Sequence, residues 1–81
     1  MTFSSNLSNE IKQRIESVIP GAEVVVNLAS ERHYEISVVS AAFEDLSQVK
    51  QHQRVYAAIT ELMAGNDAPV HAIDRMNTSA H

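Results

Sequence analysis

Two histidines open two apolar runs in this chain. His33 begins His33-Tyr34-Glu35-Ile36-Ser37-Val38-Val39, and His71 sits in Val70-His71-Ala72-Ile73. Imidazole is the side chain that binds metals and moves protons near neutral pH, so this pair is where chemistry is to be sought first. With no cysteine among 81 residues, the chain has no thiolate nucleophile, no disulfide and no thiolate site of its own for zinc or an iron–sulfur cluster. Two imidazoles leave a metal's coordination shell incomplete, so metal chemistry here needs an outside partner. Read without further context, each histidine is a half-exposed polar residue at a strand start. A third, His52, lies in Lys50-Gln51-His52-Gln53-Arg54, where Lys50 and Arg54 are one helical turn apart and form a small basic spot. That stretch reads as a solvated helix face or a partner contact, and His81 as tail. No Ser-His-Asp or paired-carboxylate arrangement has recognisable spacing, which argues against an enzyme.

The elements that position these residues follow from periodicity. Leu7, Ile11, Ile15, Val18 and Ile19 recur at helical spacing, with Ser5, Asn6 or Ser8 available as N-cap, and Pro20-Gly21 ends the helix. Glu23 to Leu28 is β-rich, Ala29 to Arg32 is a polar break, and from His33 the chain alternates, with Tyr34, Ile36 and Val38 on one side. A second helix starts near Ser47 and carries Val49, Val55, Tyr56, Ile59, Leu62 and Met63 as its apolar stripe. Gly65 suits its C′ position, Asn66 and Asp67 continue the break, and Pro69 blocks continuation. Val70 to Arg75 reads as a third strand. The core is expected over residues 7–76, and 77–81 as a polar, mobile tail.

The order helix-strand-strand-helix-strand predicts one α+β domain over 1–81, with a three-stranded mixed sheet and both helices on one face. Strands joined by a short turn are antiparallel, whereas strands joined through a helix are parallel. Parallel neighbours start at the same end of the sheet. His33 and His71 are therefore predicted to converge, next to the turn at Ser30.

The net charge of −4 disfavours non-specific nucleic-acid binding, which depends on lysine and arginine neutralising phosphates. Neither a signal peptide nor a run long enough to cross a bilayer is seen, and a soluble, cytoplasmic protein without membrane contact is expected. The only glycines, Gly21 and Gly65, cannot form the Gly-x-x-Gly loop with which RNA-binding KH domains grip a backbone.

Taken together, Tyr34-Glu35-Ile36-Ser37-Val38-Val39-Ser40, Phe43-Glu44, Ser47, Val49, His52, Arg54-Val55-Tyr56 and Val70-His71-Ala72-Ile73 resemble the BolA-like proteins. The resemblance is strongest to the acid-stress branch, where a histidine precedes the aromatic residue as His33 does here. It implies a class II KH-like fold and a role in iron–sulfur biology. Members pair with monothiol glutaredoxins carrying Cys-Gly-Phe-Ser, and the two share a [2Fe–2S] cluster with glutathione; the isolated chain carries no cofactor. It implies His71, and with it His33, as ligands. Lys50, His52 and Arg54 are the partner-binding candidates. A cluster iron accepts two imidazoles in place of two thiolates, so a cysteine-free chain can be the ligand donor.

The chain departs from the family in three places. Asp45 stands where the family has glycine, Ser30 where another branch has a cysteine ligand, and no counterpart of the family's last helix is expected in these 81 residues. Without that helix, Ile73 and Met76 are expected to be open to water and to support a weak homodimer. The alternative function is a transcriptional regulator that binds nucleic acid through the second helix.

Overall fold

The computed structural model describes residues 3–65 and 68–81. Asn66 and Asp67 of the expected break lie outside the described residues. Helix α1 spans Phe3–Val18, strand β1 Glu23–Ser30 and strand β2 His33–Val39; a 3₁₀ turn at Ala41–Phe43 leads to α2, Gln48–Met63, and strand β3 covers Ala72–Ser79. The sheet order is β1-β2-β3, antiparallel between β1 and β2 and parallel between β2 and β3. The helices touch each other, with α1 against β1 and α2 against β3. The expected αββαβ order and mixed sheet are what is found.

Periodicity builds the core. Ile11, Ile15 and Ile19 recur every four residues and are fully buried beside Tyr34, Ile36, Val38, Val55, Ile59 and Val70. Strand β2 alternates strictly, with Tyr34, Ile36 and Val38 buried under the helices and His33, Glu35, Ser37 and Val39 on the opposite, uncovered face. The chain leaves α1 through Pro20 and Gly21, whose φ of +66° is a conformation open to glycine at little cost. Ser47 caps α2 by accepting from the Lys50 N–H, and Gly65, at φ +88°, follows the last turn in the C′ position. Asp45 takes the family's glycine position without a positive φ; Arg32 is the one non-glycine residue with positive φ among those described.

The structure corrects several expectations. Helix α1 begins at Phe3, so Ser5, Asn6 and Ser8 lie within it and are not its N-cap. Strand β1 runs on to Ser30, and the hairpin turn is Glu31-Arg32. Strand β3 starts two residues later than expected and ends four later, because it follows the ladder of β2 from His33↔Ala72 to Val39↔Ser79. Residues 77–79 are strand and not mobile tail, and Thr78 is buried. Ile73 and Met76 are partly buried and pack against the core instead of lying fully open. Val49 and Tyr56, expected in the stripe of α2, are exposed at 65% and 38%. The buried face of α2 is Gln51, Val55, Ile59 and Leu62, at the helical spacing i, i+4, i+8, i+11.

A buried glutamine in that stripe needs partners, and it has them. Gln51 Nε2 donates to the carbonyls of Phe43 and Leu46, at 3.2 and 2.9 Å, and its Oε1 accepts from Thr78 Oγ1 at 2.7 Å. Gln48 donates to the Thr78 carbonyl at 3.2 Å. Ser40, also buried, donates to the Pro20 carbonyl at 2.8 Å and accepts from the Ala42 N–H. These bonds tie the polar end of β3 and the 3₁₀ turn to the body of the domain.

Candidate functional site

Parallel pairing brings the two histidines together as predicted. His33 is the first residue of β2, opposite Ala72, and His71 immediately precedes β3. His33 Nε2 lies 3.2 Å from His71 Nδ1, with ring centres 5.2 Å apart and planes inclined at 56°. Alternation along β2 puts His33 on the sheet face away from the helices. The pair is thus accessible to a second molecule.

Backbone bonds fix the spacing. The Arg32 carbonyl accepts from both the His71 and Ala72 N–H groups, at 2.7 and 3.3 Å, which ties the approach to β3 onto the turn before β2. The φ of +63° at Arg32 closes this two-residue turn, and its guanidinium donates to the Ala68 carbonyl at 3.1 and 2.7 Å. One residue therefore holds both ends of the site, through its carbonyl and its side chain.

The pair's geometry suits a shared metal. A tetrahedral ion with metal–nitrogen bonds of about 2.0–2.1 Å holds two ligand nitrogens about 3.3 Å apart and the imidazole centres about 5.2 Å apart. The observed 3.2 and 5.2 Å agree with both values, and the 3.2 Å contact is equally that of an N–H···N hydrogen bond between the two rings. Among the described residues no group of three or more potential ligands gathers to complete a shell.

Residues 16–80 match the family model of BolA-like proteins. The chain belongs to the BolA-like family. It is 48% identical over 44 residues to BolA-like protein 1 of Bos taurus, over 54% of this chain and 30% of that protein. To BolA-like protein 1 of Mus musculus it is 42% identical over 48 residues, 59% and 33% of the two chains. These matches take in about a third of the relatives' length. In three dimensions it is similar to BolA1 from Arabidopsis thaliana, with TM-score 0.70 over 89% of both chains at 23% identity. The solution structure of mouse BolA1 gives 0.62 at 28% identity, over 90% of this chain and 64% of that one.

The other candidate residues of this BolA-like chain lie elsewhere. Lys50 and Arg54 are exposed and rim a shallow hollow with Val18, Leu46, Gln53 and Ala57. The Leu62 carbonyl accepts from Val70, next to His71, so Lys50 and Arg54 stand about 18 and 12 Å along α2 from the histidine end. His52 is half-buried rather than solvated, and its Nε2 is buried without a hydrogen-bond partner. Ser30 pairs with His33 across the hairpin, as its expected position beside the site requires.

Sequence reasoning missed Asp74. Its Oδ1 lies 2.7 Å from His33 Nδ1. The pairing steps from Tyr34↔Ile73 to Glu35↔Arg75, so Asp74 is an extra residue in β3, a bulge that turns its side chain toward His33. An acidic residue three positions after His71 was the available signal, and alternation from core-facing Ile73 places it on the face that carries His33. Burial pushes the Tyr34 phenol above its ordinary value, through desolvation on the opposite, core-facing side of β2.

Proposed function

We propose that this chain is a BolA-like adaptor that donates His71 and His33 to a [2Fe–2S] cluster shared with a monothiol glutaredoxin and glutathione. It acts in cluster trafficking or iron-dependent regulation, and performs no catalysis itself. The observation that carries this reading is the 3.2 Å approach of His33 Nε2 to His71 Nδ1 on an uncovered face. Two neutral imidazoles replace two thiolates at one iron and raise a cluster's reduction potential, as Rieske-type ligation does. With the cysteine and glutathione thiolates on the partner's side, neither protein alone completes the site. The shared cargo then reports the meeting of the two proteins. The BolA-like chain's own task is to hold two nitrogens at metal spacing, and Arg32 performs it by fixing the backbone of His71 to that of His33.

The test mixes the chain with a Cys-Gly-Phe-Ser glutaredoxin, glutathione, iron and sulfide without oxygen, and reads nitrogen couplings of the reduced cluster by pulsed EPR. His71→Ala is expected to abolish the histidine coupling, and His33→Ala to weaken or alter it. His71 is exposed, and its hydrogen bond to Arg32 is made by the backbone, so His71→Ala keeps the fold. Unchanged couplings in His71→Ala refute the ligand role.

A further inference from the structure

We propose that Asp74 is a positioning residue that fixes the tautomer of His33 and so presents its Nε2 as a bare lone pair beside His71. This rests on the ligand role of His33 for its purpose, though not for its test. A carboxylate only accepts hydrogen bonds, so the 2.7 Å contact between Asp74 Oδ1 and His33 Nδ1 places the ring proton on Nδ1. A neutral imidazole has one N–H, so a proton on Nδ1 leaves Nε2 as the acceptor. Nε2 is the atom that faces His71 Nδ1. In the metal-free chain His71 donates to His33, and His33 donates to Asp74.

The geometry gives Asp74 no other assignment. Its carboxylate is 43% exposed, and His33 is its one recorded ion-pair or hydrogen-bond partner among the described residues. A surface ion pair of this exposure adds little to stability. Its position is nevertheless specified, because the β3 bulge inserts Asp74 between two regular ladder steps and directs it at His33. Metal-ligating histidines commonly donate their second ring N–H to a carboxylate, which sets ring orientation and makes the ligating nitrogen more basic. Asp74 is placed to do this for His33, whereas among the described residues no carboxylate pairs with His71.

The test reads the tautomer directly, on the ¹⁵N-labelled 81-residue chain at pH 8 without metal, from long-range ¹H–¹⁵N correlations of the imidazole rings. Wild-type His33 is expected to carry its proton on Nδ1. Asp74→Ala is expected to lower the ratio of Nδ1–H to Nε2–H forms by about tenfold, the weight of a charge-assisted hydrogen bond. Asp74→Asn keeps an accepting oxygen but loses the charge, and is expected to give a ratio between those of the wild type and Asp74→Ala. Unchanged backbone amide shifts away from the site confirm that the variants are folded, and a purely structural role for Asp74 would leave the tautomer ratio alone. A wild-type His33 protonated on Nε2, or a ratio indifferent to Asp74→Ala, overturns the proposal. Because neither metal nor partner is present, failure of cluster assembly refutes the proposed function without touching this result, and the converse holds as well.

Discussion

Replacing Gln51 with alanine removes the side chain that joins α2, the 3₁₀ turn and β3. The Phe43 and Leu46 carbonyls each lose a donor, and Thr78 Oγ1 loses its acceptor. Gln51 and Thr78 are 8% and 7% exposed, so water does not readily replace the missing groups. The Phe43 carbonyl still accepts from the Leu46 N–H at 3.0 Å and Thr78 Oγ1 from Gln48 Nε2 at 3.3 Å, so the loss falls on the Leu46 carbonyl and the Thr78 hydroxyl proton, and Gln51→Ala is expected to cost about 1–3 kcal/mol. The whole domain has about 4–12 kcal/mol available, on the usual scale per residue. Thr78→Val, which keeps shape and removes only the hydroxyl, is expected to cost about 1–2 kcal/mol. The double variant isolates the Gln51–Thr78 term, expected at about 0.5–2 kcal/mol. Urea unfolding of the four proteins, followed by circular dichroism with constant slope, measures all three quantities. A loss under about 1 kcal/mol for Gln51→Ala, or no coupling, would falsify the inference that this network carries the closure of the sheet. Thr78 lies about 20 Å along β3 from Ala72, so folded Gln51→Ala should keep the histidine spacing.

Three further outcomes are expected. Arg32→Gly relieves a positive φ but loses two hydrogen bonds to the Ala68 carbonyl and adds unfolded-state entropy; a net loss of about 1 kcal/mol and faster amide exchange at His71 and Ala72 are expected, and a more stable variant contradicts this. Burial raises the Tyr34 pKa, so the unfolded chain loses that proton first, and the stability this contributes is complete below pH 10 and is lost as pH rises through the folded value. Tyr34→Phe should flatten the alkaline fall of the urea midpoint, and an identical fall in both proteins excludes Tyr34 as its source. Lys50→Glu with Arg54→Glu should leave the histidine couplings of the shared cluster unchanged at 0.15 M salt, where charges beyond about 8 Å are screened; altered couplings would show that the basic spot reaches the ligands.

The meeting of His33 and His71 was legible because it depends only on topology. Two strands joined through a helix run parallel, and each histidine stands near the start of its strand. Asp74 was missed although alternation from Ile73 places it on the face of His33; the one-residue bulge at that point is recorded by no hydrophobic pattern. The stripe of α2 misled in a related way. Apolarity favoured Val49 and Tyr56, but the face that meets the sheet contains Gln51, whose polarity is cancelled by three hydrogen bonds. The polar run Asn77-Thr78-Ser79 looked like tail for the same reason. Its backbone belongs to the ladder with β2, and Gln48 and Gln51 pair the polar atoms of Thr78.

The site's incompleteness follows from its place on the sheet. Alternation turns His33 away from the helices, so no element of the described chain covers that face and no third ligand arrives from the core. The same placement frees the spacing of the nitrogens from side-chain packing. It is set by the strand ladder, the carbonyl of Arg32 and the bulge at Asp74. If the proposed partner binds here, the histidine pair is already ordered, which would reduce the ordering cost of assembly. The basic spot at Lys50 and Arg54 lies toward the other end of α2, so a partner that supplies the missing ligands has no need to touch it. Ligand exchange and any electrostatic docking on α2 are therefore separable by mutation. That separability distinguishes an adaptor built around the histidine pair from a regulator built around the second helix.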